Sequence, residues 1–365
     1  MKRVVFLGAG LGGGGAEHQC AQLMNFLVDK GYDVTYASFG EDKDHYYVSP
    51  KVKRVSLAFG KSHFRKLLAI WRYLLTAPMD VEVAFSQRMS ALSLFPLLLR
   101  PRIKVISSER NYTIDAPDRW ERVLTKTRVY RRANHIVPNN YSQGRYLAEK
   151  YPYLARKITV ITNYTDLDAY SASALPDNDR IRVGIFCRFE SQKNFHRFVE
   201  AMHILKERLP ETPFQVDWYG NHRFTTDHQT QYFEKGLQMM KECGLTDTII
   251  IKDPTREVAS LIPQYDVLCL PSLHEGFSNS ISEYICCGRP VICSNVSDNA
   301  VMVKEGENGF LFDPMDASNI AAAFMRFFSL TGEMRAKMGR RSREIAEALF
   351  DKERFITAYI DLIEA

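Results

Sequence analysis

Short runs rich in valine, isoleucine and phenylalanine alternate along this chain with longer segments whose apolar positions recur at helical spacing. The runs predict strands at 3–7, 33–38, 81–85, 104–107, 135–137 and 158–161, with amphipathic helices such as 16–30 and 141–150 between them. Strand and helix in alternation mark βαβ units and a parallel sheet. The pattern lapses over 163–179, a stretch of Asp, Ser, Ala and Tyr with Pro176 that reads as a linker. It restarts at 181–186 and continues through strands at 214–219, 248–251, 267–270 and 291–294. The expected fold class is therefore α/β, with two doubly wound parallel-sheet domains over 1–170 and 171–349. A last helix, at about 350–365 with its pattern clearest over 352–364, is expected to cross back to the first domain. Ligands of open α/β sheets bind beyond the carboxyl ends of the strands. Two such domains facing across a cleft would place the chemistry in their strand-to-helix loops.

Composition adds little until the chain is divided. Its 365 residues, 45% hydrophobic and 25% charged, are those of an ordinary globular protein. A net charge of +5 is too small an excess for a dedicated nucleic-acid binder. Residues 1–172, however, hold 26 Lys and Arg against 15 acids, or +11, while the remainder holds 22 against 28, or −6. A basic half suggests an anionic partner for that half, or simply solvated helix faces. Within it, Phe64, Leu67, Leu68, Trp71 and Leu75 fall at helical spacing beside Arg65, Lys66 and Arg72. Such a helix either lies on an anionic membrane or packs on the sheet. The basic stretch 119–132 adds weight to the membrane surface. The longest apolar stretch, about 91–99, is half a membrane span and contains Pro96, so no segment is expected to cross a bilayer. Seven cysteines without a C-x-x-C pair fit a reduced, cytoplasmic protein without zinc.

The first strand runs directly into Gly8-Ala9-Gly10-Leu11-Gly12-Gly13, which fits the dinucleotide fingerprint G-x-G-x-x-G. That function needs an acid about twenty residues on, to hold a ribose. The second strand instead ends Ala37-Ser38-Phe39-Gly40, with Asp33 at its wrong end. The run continues through Gly14 and Gly15 into a helix, a geometry suited to a phosphate or a sugar approaching backbone N–H groups closely. Glu17 and His18 follow either as ligands or as ordinary first-turn residues.

The second half carries the stronger signals. Arg188 and Lys193 stand at the carboxyl end of the strand at 181–186, where two cations beside a helix entrance would neutralise a diphosphate. After the strand at 267–270 comes Pro271-Ser272-Leu273-His274-Glu275-Gly276-Phe277-Ser278-Asn279-Ser280-Ile281, then a helix carrying Glu283 and ending near Cys286-Cys287-Gly288. The amides at Asn279, Ser280 and Ile281 open that helix and offer a further anion site. Asp166-Leu167-Asp168 has the D-x-D spacing of a divalent-metal site, but it falls in the linker, and no metal is expected.

Glu275 through Glu283 resembles the E-x7-E motif of GT-B glycosyltransferases, particularly the retaining family GT4. The resemblance extends along the chain through Gly14-Gly15-Ala16-Glu17, Ser108-Glu109-Arg110-Asn111, Arg188 with Lys193, Cys287-Gly288-Arg289-Pro290-Val291, the turn from Glu307 to Phe312, and the terminal crossing helix. It implies a GT-B fold of two Rossmann-like domains, the first binding acceptor and the second nucleotide-sugar donor. On that basis Arg188 and Lys193 bind the diphosphate, Glu283 the ribose and Glu275 the sugar hydroxyls. Phe277, Ser278, Asn279, Ser280 and Ile281 complete the donor loop, and Gly14 and Gly15 lie against the diphosphate. Gly13, Glu17, His18, Glu109, Arg110 and Asn111 fall to the acceptor side. Many family members carry a histidine near Glu109, so an active role for Glu109 departs from the family pattern.

The activity so implied is retaining transfer of a hexose or N-acetylhexosamine from a nucleotide sugar, most readily a UDP-sugar. The acceptor would be a polyprenyl-diphosphate-linked glycan of a bacterial surface, met at the cytoplasmic face of the inner membrane. The alternatives are a nucleotide-sugar epimerase or phosphorylase of the same fold, and a non-catalytic module binding sugar nucleotide or membrane.

Overall fold

The computed structural model describes residues 1–12, 14–40, 45–57, 62–110, 119–224 and 226–365. The chain divides into two compact units, Met1–Tyr164 with Lys352–Ala365, and Thr165–Asp351.

The first unit is a six-stranded parallel sheet of β1 (Arg3–Gly8), β2 (Asp33–Ser38), β3 (Lys53–Ser56), β4 (Val81–Ala84), β5 (Lys104–Glu109) and β6 (His135–Pro138), ordered β3-β2-β1-β4-β5-β6. Both faces are covered, which is why β1 and β4 are buried almost throughout. Val4 and Phe6 of β1 pack with Leu23, Met24 and Leu27 of helix Gly15–Asp29 and with Phe355, Ile356 and Tyr359 of helix Lys352–Glu364. Val5 and Leu7 face the other way, onto Ile70 and Leu74 of helix His63–Thr76 and Leu94 and Leu97 of helix Gln87–Leu97. The terminal helix is also tied by charge: Lys2 and Lys104 both donate to the Ile363 carbonyl, at 2.8 and 2.9 Å. These are cations on the negative end of a helix dipole.

The second unit repeats the connectivity with β7 (Ile181–Phe186), β8 (Phe214–Tyr219), β9 (Ile249–Lys252), β10 (Val267–Leu270), β11 (Val291–Ser294) and β12 (Gly309–Phe312), ordered β12-β11-β10-β7-β8-β9 and parallel throughout. Val183, Ile185, Val216 and Trp218 pack on Phe195, Phe198, Phe324 and Phe327. Leu268, Leu270, Val291 and Cys293 pack on Ile281, Tyr284, Ile285 and Ile345. In each unit the strand order reverses between the first and fourth strands, β1 beside β4 and β7 beside β10, the places where an open parallel sheet leaves a crevice. One glycine per unit permits the neighbouring loop to close in: a Cβ on Gly40 would strike the Ala9 carbonyl, and one on Gly220 the Cys187 carbonyl.

Three expectations about elements change. The segment 158–161 is not a strand; it makes one bridge, Ile136 to Ile158, and its Thr159 and Ile161 amides bond to β6. The chain then turns away to Tyr164, whose amide and carbonyl are both taken by the buried Gln19 side chain at 2.8 and 2.7 Å. Edge strand β3 was hidden by its polar sequence Lys-Arg-Val-Ser. The supposed turn over 307–312 contains β12, which lies close because Gly309 has no Cβ to meet the Val291 carbonyl. Helix His63–Thr76 packs through Ile70 and Leu74 and leaves Phe64, Leu68 and Leu75 exposed, so one face serves the core and the other does not. Among the described residues no helix is long and apolar enough to cross a membrane. All seven cysteines are free, and Cys20, Cys269, Cys286, Cys287 and Cys293 are buried.

Candidate functional site

The crevice of the second unit is closed by an ion pair. Lys193 ends the short turn Ser191–Lys193 after β7, and Glu275 lies in the loop after β10. Lys193 Nζ donates to Glu275 Oε1 at 2.5 Å, with 13% and 11% of the two side chains exposed. Burial works against the lysine's charge, but Glu275 outweighs it and the ammonium pKa is raised. Two bonds hold the loops in register: Leu273 N to the Gln192 carbonyl at 2.8 Å and Gln192 Nε2 to the His274 carbonyl at 2.7 Å. Arg188 is near but directed outward, 68% exposed and paired with Glu190 at 3.1 Å.

Helix Asn279–Cys286 opens at the same edge. Ser278 caps it by accepting from Ile281 N at 3.3 Å, so that amide is already used. Ser280 Oγ bonds the Phe186 carbonyl and Tyr284 OH accepts from Phe186 N, fixing the helix to the end of β7. The Phe277 and Ile281 side chains are buried in the core, with Phe277 edge-on to Phe350, so any ligand would meet this stretch through its backbone. Glu283 projects from the helix toward Tyr170, which hydrogen-bonds its carboxylate, and burial pushes the Glu283 pKa up to about 7. Tyr170 is itself anchored: Arg343 Nη1 donates to the carbonyls of Leu167, Tyr170 and Cys286. Arg289, fully buried, grips Ser173 and Ala174 in the same way.

Asp166 and Asp168 form no metal cage; Asp166 Oδ1 accepts from the amides of Asp168 and Ala169, which is a turn cap. Among the described residues no group of three or more His, Cys, Asp or Glu is placed to hold a metal ion.

The first unit's crevice is furnished with different residues from the second's. Gly14 is the N-cap of helix Gly15–Asp29, and the Glu17 carboxylate lies back over it, occupying the space a Gly14 side chain would need. His18 stacks on Tyr46 at 4.5 Å, and burial lowers its pKa. Glu109 ends β5 fully buried. Arg110 is largely committed to structure: it lies over Phe85 at 4.2 Å and bonds Ser108, Asn163 and Tyr359 of the terminal helix. It therefore braces the end of β5 against the terminal helix rather than offering a free cation. Gly13 and Asn111 lie outside the described residues.

Sequence reasoning missed Gln192, Tyr170 and Gln87. Gln87 follows β4 at the first unit's crevice, fully buried, with neither amide atom hydrogen-bonded among the described residues. A lone glutamine at a helix start carries no sequence signal; only burial without a partner singles it out.

A family model described as Glycosyltransferase Family 4 matches residues 13–169, and one described as Glycosyl transferases group 1 matches residues 168–345. The chain is 26% identical over 244 residues to D-inositol 3-phosphate glycosyltransferase of Paenarthrobacter aurescens, covering 64% of this chain and 58% of that protein. It is 24% identical over 212 residues to the lipopolysaccharide core biosynthesis glycosyltransferase LpsE of Rhizobium meliloti, covering 57% and 58%. The chain thus spans about half the length of the curated relatives it matches. Anabaena HepE, solved with UDP and glucose, superimposes with a TM-score of 0.81 over all of both chains at 17% identity. Two Rossmann-like sheets of like order, matched in turn by the two halves of the family, have one meaning: this chain belongs to glycosyltransferase family 4 and has the GT-B fold.

Proposed function

We propose that the protein is a retaining glycosyltransferase that moves a hexose or N-acetylhexosamine from a UDP-sugar to a polyprenyl-diphosphate-linked glycan. The observation that carries this is the Lys193–Glu275 pair across the β7–β10 crevice, with Arg188 and the helix start at Asn279 beside it. Cleaving a sugar–diphosphate bond builds negative charge on the leaving group, and preorganised cations and amides at that spot lower the barrier. Arriving diphosphate would draw Lys193 off Glu275, and the released carboxylate then accepts from the sugar hydroxyls. Glu283 holds the ribose, exchanging its bond from Tyr170 for one from a ribose hydroxyl. Gly14 and Gly15 lie against the diphosphate, Glu17, His18 and Glu109 make the acceptor side, and Arg110 positions it. The residues doing this work need no metal.

The exposed Phe64, Leu68 and Leu75 beside Arg65 and Arg72 support seating of the first unit on an anionic membrane surface. That fits a lipid-linked acceptor at the cytoplasmic face. HepE's complex with UDP and the role of LpsE in lipopolysaccharide core biosynthesis support the donor and the surface-glycan setting. The test is a panel of nucleotide sugars screened for thermal stabilisation, since a ligand of the native state raises stability by mass action. Stabilising donors are then offered with polyprenyl-diphosphate glycans and the product's anomeric configuration is read. A UDP-sugar that stabilises and is transferred with retention is expected; free altered sugar without an acceptor would indicate an epimerase instead. Liposome flotation with and without anionic lipid tests the surface.

A further inference from the structure

Beyond the carboxyl ends of β11 and β12, on the far side of β10 from β8 and β9, the second unit has a cavity of about 510 Å³. It lies within the size range of small-molecule sites. Its polar lining is Asn295, Asp313 and Asn319, and its apolar lining includes Leu273 and Met315. None of these belongs to the donor machinery described above, although Leu273 is in the loop that carries Glu275.

The polar groups are held in fixed orientation. Asp313 Oδ1 accepts from Met315 N at 2.8 Å, which leaves Oδ2 without a partner among the described residues. Asn319 Oδ1 accepts from Asp313 N at 2.8 Å, which leaves its Nδ2 as a donor. The loop between them is clamped from behind: Asn194 Nδ2 donates to the Pro314 carbonyl at 2.8 Å, and Arg197 donates to the Met315 carbonyl. A carboxylate acceptor and an amide donor set side by side match two adjacent hydroxyls, one giving and one receiving a proton. Leu273 and the Met315 side chain, 63% exposed, supply an apolar wall of the kind that meets the C–H face of a pyranose ring.

We infer that this cavity is a carbohydrate subsite that takes one pyranose unit of an oligosaccharide, remote from the bond being made. This rests on the glycosyltransferase reading for the source of the sugar, a glycan acceptor longer than one residue. Binding energy gathered on such a remote unit improves the use of longer acceptors.

The test uses the full chain and neutral oligosaccharides of hexose and N-acetylhexosamine units, with binding followed by saturation-transfer NMR and titration calorimetry. Asp313→Asn keeps the acceptor for Met315 N and exchanges only Oδ2 for a donor, while Met315→Ala removes the apolar wall from an exposed position; neither threatens folding. Each is expected to weaken oligosaccharide binding about tenfold, the order of one lost polar or packing contact, with UDP-sugar stabilisation unchanged. The advantage of long over short acceptors in KM should shrink equally. Oligosaccharides that bind both variants as they bind the wild type, or that fail to bind the wild type, overturn the subsite. If UDP-sugars bind and oligosaccharides do not, the subsite alone is wrong. If oligosaccharides bind through Asp313 and no nucleotide sugar binds, the donor reading is wrong and the subsite stands.

Discussion

The two units fold one strand order twice and furnish its crevice in opposite ways. Between β7 and β10 the second unit sets a charged pair, Lys193 and Glu275, clipped in place by Gln192. Between β1 and β4 the first unit sets glycines and a buried Gln87 with neither amide atom hydrogen-bonded among the described residues. Net charge runs the other way, +11 in residues 1–172 and −6 in the rest. Bulk charge and site charge are therefore separate properties here. The acidic half holds the two cations proposed to meet a diphosphate, Arg188 and Lys193, while the basic half spends Arg110, Lys2 and Lys104 on internal bracing.

The comparison breaks most visibly at Lys193. Lys193→Met is expected to lower kcat about 10²–10³-fold, the usual loss when one fixed donor to developing charge is removed. It should also lower the melting temperature, because Glu275 is left buried without its cation. Full activity in the variant would remove the pair from the mechanism.

A smaller effect is expected at Glu283, whose pKa burial raises to about 7. In the proposed donor site the ionised form would accept from a ribose hydroxyl, so kcat/KM for the donor should rise with pH up to about 7 and level off above it. Glu283→Gln should raise the donor KM and flatten that limb. An unchanged limb in the variant would assign the titration elsewhere.

The smallest effect concerns the first unit and reads as stability. Burial pushes the carboxyl of Glu82 on β4 up to about 8, against a bond from Ser93 at 2.7 Å. Its folded pKa lies above its unfolded one, so the native state keeps a proton that the unfolded chain releases. Stability is then lost as pH rises from about 4.5 toward about 8. Glu82→Gln keeps an acceptor for Ser93 and cannot titrate. The variant should melt above the wild type at about pH 8, with the gap closing toward about pH 5; a gap independent of pH would contradict the assignment.

What the sequence made legible follows from the range of each interaction. Strands at 33–38, 181–186, 214–219, 267–270 and 291–294 coincide with the observed bounds because each concentrates apolar residues that the sheet buries. Edge strand β3 has one apolar residue in four and escaped, while Ile-Thr-Val-Ile at 158–161 has a strand's composition but only one bridge. Glu275, Glu283, Arg188 and Lys193 stood out by motif. Their partners did not: Lys193 and Glu275 are 82 positions apart, and Gln192, Tyr170 and Arg343 come from three separate segments. No local pattern encodes such pairings, and only the folded sheet order brings them to one crevice.

The central claim is that donor binding depends on the Lys193–Glu275 pair between β7 and β10 and not on Gln87 between β1 and β4. It is tested most directly by titrating UDP calorimetrically into Lys193→Met and Gln87→Met beside the wild type. UDP affinity is expected to fall at least about tenfold in Lys193→Met, as on losing one charged contact to a phosphate, and to be unchanged in Gln87→Met. Undiminished affinity in Lys193→Met, or a loss confined to Gln87→Met, would contradict it.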